Sequence, residues 1–255
     1  MAIRTEYFVH PDSIVRKIWG KSDTILFIFA GAAAEFALNK AVDWLYFTGR
    51  LPADPLGRLF STVTYARQIV FSELDDANDA IDKITSIHAA VEKGRGATIP
   101  DWAYRDVLFM LIWYSIAAFE LLERKLTGEE KEELLDVFYR MGKRMHLKGL
   151  PENYNDWLIM HHEHLQADLL KSDFTTDLFK QYKKHLGAYR YKLLLESQKL
   201  VVPARVKELL GFNNNHWLWG VVWFYKLSRK IKADGFLKSL ILPREYSEQI
   251  KALDA

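Results

Sequence analysis

The chain of 255 residues is 49% hydrophobic and 27% charged, the balance of a globular domain built around one large core. A formal net charge of +2, with no basic stretch ahead of the C-terminal tail, argues against a nucleic-acid partner. Cysteine is absent. That excludes disulfides, thiol nucleophiles, iron–sulfur clusters and thiolate-held or covalently attached haem, and it leaves His, Asp, Glu and Tyr to hold any metal.

The opening residues carry acids and no continuous apolar core, so they do not read as a signal peptide, and a cytoplasmic location is the expectation. Ser22 or Asp23 can cap a helix whose pattern runs to about Phe47 and ends at Thr48–Gly49. Within it, Ala30–Ala34 offers almost no side chain, so either a neighbouring helix or a flat ligand approaches that backbone. Asp54–Pro55 opens a second helix with Leu56, Leu59, Phe60, Val63 and Val70 at core spacing and Arg58, Thr62 and Tyr65 on another stripe. A third starts near Asp75 and stops at Gly94, with Ile81, Ile84, His88 and Val91 along one seam.

Pro100–Asp101 opens an aromatic helix ending near Leu126, and Thr127 to Glu130 has capping-box spacing for the next. Pro151 precedes a helix over Asp156–Leu170. Further helical runs follow near Thr175–Leu186, Tyr189–Lys199 and Ala204–Leu210, the last between Pro203 and Gly211. No repeat and no alternating strand pattern is present. The expected fold is all-α, a single-domain multi-helix bundle over residues 1–255, with 212–255 an aromatic and basic helical extension. Within that extension Trp217–Tyr225 and the basic residues after it either cover the core or offer a weak membrane contact.

Four features could carry chemistry. His88, an imidazole on an apolar stripe, takes either a hydrogen-bond partner or a metal. Arg58 and Thr62, one turn apart, either anchor an anion and donate to a bound oxygen species or lie on an ordinary solvated face. On a helix His161 and His164 share a face while His162 points elsewhere, but the cluster matches no metal signature: no Glu-x-x-His is present and the zinc-peptidase spacing fails at Gln166. Glu35 and Glu120 are acids inside apolar helices, each either a functional acid with a raised pKa or a residue that pairs with a buried Arg or lies at the wet edge. Phe109 and Trp113 either line an apolar pocket or belong to the core.

Several of these stretches resemble the MpaB / latex-clearing-protein (rubber oxygenase) superfamily. They are the run from Ala41 to Thr62, Ile84 to Val91 around His88, Leu126 to Glu130 after an aromatic helix, and Val202 to Gly211. The similarity covers roughly residues 16–211, and it is the order and separation of the motifs that carry it. It implies an α-helical domain holding a non-covalent haem b (iron protoporphyrin IX) with His88 as the axial iron ligand, while Arg58 and Thr62 line the distal side as cofactor-binding and catalytic residues. The implied activity is oxygenation of a lipophilic, alkene-containing small molecule such as an isoprenoid, with dioxygen or peroxide as co-substrate. Rubber oxygenases carry a lysine just before the distal threonine; Ser61 stands here, so a lysine-capped iron is not expected. Glu35 and Asp43 are nearby acids, and neither matches the family's catalytic glutamate. Other readings of the same residues are a haem peroxidase, sensor or carrier, and a cofactor-free helical scaffold or peripheral membrane protein.

Overall fold

A computed structural model describes residues 6–49 and 53–213 together with Leu218, Gly220 and Val222; at 56 and 58–60 the backbone alone is described. The aromatic and basic tail beyond Asn213 thus lies almost entirely outside the described residues. Among these the fold is all-α, with helices α1 (Ile14–Trp19), α2 (Ser22–Phe36), α3 (Val42–Phe47), α4 (Pro55–Phe71), α5 (Leu74–Arg95), α6 (Asp101–Leu122), α7 (Gly128–Arg144), α8 (Tyr154–Ala167), α9 (Asp173–Val201) and α10 (Ala204–Leu210). Extended pairing among the described residues is limited to two isolated bridges, Tyr7 with Glu73 and Asn39 with Leu169.

The punctuation behaves as the local chemistry requires. Asp54 caps α4 by accepting from the Gly57 amide at 2.8 Å. Thr127 and Glu130 close a reciprocal capping box on α7. Gly96 and Gly211 end α5 and α10 in the left-handed conformation that a Cβ disfavours. The expected runs near Thr175–Leu186 and Tyr189–Lys199 are the two helical segments of α9, separated at Gly187, whose backbone (φ 72°, ψ 169°) is not helical.

The single helix expected from Ser22 to Phe47 is in fact two. After Phe36 the chain leaves the helix, because its backbone finds partners elsewhere: Lys40 N–H donates to the Asp168 carbonyl, and Leu38 C=O accepts from Leu170 N–H. Asn39 secures the break, accepting from the Ala41 amide at 2.8 Å with one end of its side chain and donating to Asp106 at 2.9 Å with the other.

The bundle is organised around α2 and α6, the most extensively packed pair, with α1, α7, α8 and α9 laid against them and α4 and α5 paired at one side. Trp19, Ile25, Ile28, Ile112, Tyr114, Leu134 and Trp157 are fully buried in this core. The question left open by Ala30–Ala34 is answered by a helix. A Cβ on Gly31 would fall inside the Tyr114 ring of α6, so the absent side chain is what lets the two helices close. Among the described residues, no helix is long and apolar enough to cross a membrane.

In an exposed helix interior, Gly→Ala gains about 0.5–1 kcal/mol. Here we expect the reverse. Gly31→Ala should lower unfolding free energy by about 1–3 kcal/mol in urea titrations, since Tyr114 is enclosed and must be displaced.

Candidate functional site

The most concentrated chemistry lies where α2, α6 and α8 meet. On α8, Trp157, His161, His164 and the capping Asp168 recur at steps of four, three and four and so share one face, the face turned into the bundle. On α6, Asp106 and Tyr114 stand two turns apart on a common side. Glu35 comes from the last turn of α2.

His164 is the hub. Its Nε2 lies 3.1 Å from Glu35 Oε1, and its Nδ1 lies 2.9 Å from Asp106 Oδ1 and 3.5 Å from Asp168 Oδ2. The bond to Glu35 is well directed, whereas Nδ1 makes a directed hydrogen bond with neither of its flanking carboxylates. Tyr114 donates its phenol proton to Glu35 Oε2 at 2.7 Å, and Asn39 holds Asp106 Oδ2. Glu35 is 0% and Asp106 2% exposed, and ionised groups so deep require compensation. Burial alone would lower the basicity of His164, but its contacts with Asp106 and Glu35 outweigh that and push its pKa up to about 10. Metal-free, the ring is therefore an imidazolium fixed between acids, not a general base open to a substrate.

His161, one turn earlier, has the opposite setting. Its ring is stacked at 5.0 Å on Trp113 and at 5.0 Å on Trp157. Burial first, then the charges of His164 and His162, lower its pKa to about 3, so it is a neutral member of an aromatic stack. Phe109 and Trp113, expected in a pocket or in the core, are committed to this interior: Phe109 packs edge-on against Trp157, and Trp113 donates to the Val201 carbonyl.

The residues singled out from sequence lie elsewhere, on the α4–α5 pair. The two helices are joined by Ser72 and Glu73 alone, and the far end of α5 comes back to α3. That end of α5 is pinned by Arg95, which pairs with Asp43 at 2.6 Å and lies 4.0 Å over the Trp44 ring. His88 and the backbone of Arg58 are both on the α3 side of this hairpin, with Thr62 one turn nearer the connection. The Arg58 side chain is outside the described residues. His88 is half-buried with its ring edge-on to Tyr104 at 5.1 Å. The expected buried seam is thus a correction: Ile81 is enclosed, but Ile84, His88 and Val91 are only partly covered, because the far half of α5 projects past the core. Glu120 reaches the wet edge beside Lys125 and Lys131, while Glu35 is paired internally.

Sequence reasoning placed His161 and His164 on one face but did not find their acids. Asp168 was available as the next step of that stripe and Glu35 as an acid inside an apolar helix, but Asp106 carried no signal, and nothing local tied either Glu35 or Asp106 to His164, since both arrive from other helices.

An all-α bundle without cysteine, whose donors to any metal are histidine, carboxylate and tyrosine, is the class that fold and composition define. Residues 17–229 match the family described as ER-bound oxygenase mpaB/B'/Rubber oxygenase, catalytic domain, and the chain belongs to that family. It is accordingly an enzyme domain of the oxygenase type. Neither a curated protein nor a solved structure matches it.

Two measurements test these electrostatics. Tyr114→Phe removes one hydrogen bond to a buried carboxylate and should cost about 1.5–3 kcal/mol of stability. His161 is neutral when folded and protonates when unfolded, so its contribution is intact above the unfolded pKa near 6.5 and is lost as pH falls toward 3. His161→Leu should flatten the stability–pH curve in that window, by up to about 1.4 kcal/mol per pH unit.

Proposed function

We propose that the chain is a b-type haem-dependent oxygenase acting on a lipophilic, alkene-containing small molecule, with His88 as the iron's axial ligand. The observation that carries this is the family match over residues 17–229. The surroundings of His88 fit the group. It offers a single imidazole, bordered by the half-buried Ile84 and Val91 and by Ile87, which is 39% exposed. A bare ion would need three or four protein donors, and the three-donor cluster found among the described residues is at Asp106, His164 and Asp168 instead. One imidazole beside an apolar flank suits a metal that brings its other ligands within a flat apolar ring.

A haem held there supplies a redox-active iron for reaction with dioxygen or peroxide. The chain's own residues then have separable tasks. His88 would hold the iron, and Tyr104 restrains the orientation of its ring; the Tyr104 hydroxyl is itself fixed by donation to Glu92 at 3.2 Å. Arg58 and Thr62 would face the oxygen species from α4, the arginine as a fixed positive charge and the threonine as a hydroxyl donor. Trp44 and Phe47 on α3, the latter 52% exposed, supply apolar surface at the same end of the hairpin for a lipophilic substrate.

Absorption spectra of the full-length chain, expressed with haem supply, provide the test. The parent should show a Soret band that is weakened or shifted in His88→Ala, and a colourless parent after reconstitution would overturn the proposal. Arg58→Leu and Thr62→Val should keep the Soret band while lowering oxygen consumption with an alkene substrate by on the order of tenfold or more.

A further inference from the structure

We propose that Asp106, His164 and Asp168 form a second metal site, for a divalent first-row transition cation, separate from the position of His88. One potential ligand atom from each residue lies within 4.8 Å of the other two. The His164 Nδ1 separations of 2.9 Å from Asp106 Oδ1 and 3.5 Å from Asp168 Oδ2 resemble the spacing of neighbouring donors around one cation. With bonds of about 2.1 Å, such donors stand roughly 3.0 Å apart in octahedral and 3.4 Å apart in tetrahedral coordination.

The direction of the imidazole is the independent observation. His164 is 3% exposed, and its Nδ1 is buried between two carboxylate oxygens while directed at neither as a hydrogen bond. A ring nitrogen placed to share a cation with both oxygens has this geometry.

The atoms that would not touch the cation are already occupied. Nε2 of His164 is hydrogen-bonded to Glu35, which is held in turn by Tyr114, an acid–histidine arrangement that orients metal-bound imidazoles. Asp106 Oδ2 accepts from Asn39, leaving Oδ1 turned toward His164. Charge favours the same occupant. One imidazolium facing Glu35, Asp106 and Asp168 leaves two negative charges uncompensated within the cluster. A divalent cation with a neutral imidazole leaves one, and Lys40 stands near Asp168.

The donor set names the ligand class. An imidazole with two carboxylates and no sulfur suits zinc, manganese, ferrous or cobaltous ions better than copper(I), and the nitrogen disfavours calcium and magnesium. Binding replaces the Nδ1 proton of His164 and releases it to solvent. The ligands come from α6 and from the end of α8, and Glu35 adds α2, so the cation would tie together the helices that form the centre of the bundle.

The test uses the purified full-length chain treated with a chelator, which does not extract iron from a porphyrin. Cobalt(II) titration should give one ion per chain with visible d–d absorption, and cobalt or zinc should raise the thermal midpoint. Asp168, partly exposed at the end of α8, is the least disruptive ligand to change. Asp168→Asn should remain folded by circular dichroism and bind cobalt at least tenfold more weakly, whereas His88→Ala should bind it as the parent does. A folded parent that takes up no cobalt would overturn the site, as would wild-type affinity in both Asp168→Asn and Asp106→Asn. Loss of cobalt binding in His88→Ala would assign the ion to the other site and overturn the proposal equally.

Discussion

Burying Glu35 and Asp106 at the contact of α2 with α6 is the constraint on which the rest of this structure turns. Neither carboxylate can reach water, and the effective penalty for an isolated buried ion is several kcal/mol. His164 meets both, and Tyr114 and Asn39 take up one further oxygen on each. The network needs matching faces of α2, α6 and α8 to meet, so it acts less as glue than as a specification of which faces those are. Gly31 belongs to the same constraint, because the ring that carries the Tyr114 hydroxyl to Glu35 occupies the space a side chain would fill.

From that centre the break between α2 and α3 becomes intelligible. Asn39 can serve Asp106 only if the helix stops, and the backbone groups thus released pair with Asp168 and Leu170 at the end of α8. The break also redirects the chain, setting α3 beside the far end of the α4–α5 hairpin, where Asp43 and Trp44 hold Arg95. The polar centre of the bundle and the neighbourhood of His88 are therefore linked through one short turn.

The two regions divide the tasks. Around His88 the packing is partial and the flanks are apolar. Around His164 every helix is fixed by charge, and the aromatic stack of Trp113, His161 and Trp157 fills the space beside it.

Sequence by itself determined the all-α class, most helix boundaries and the family, because caps, prolines, glycines and the 3.6-residue period act within a few residues of chain. Thr127 with Glu130, Asp54 with Pro55 and Gly211 were legible for that reason. Even the common face of His161 and His164 could be read from spacing. The break at Asn39, the depth of Glu35 and the convergence of Asp106 and Asp168 on His164 were decided only in three dimensions. Their partners are carried by separate helices, and no local pattern records which faces packing will bring together.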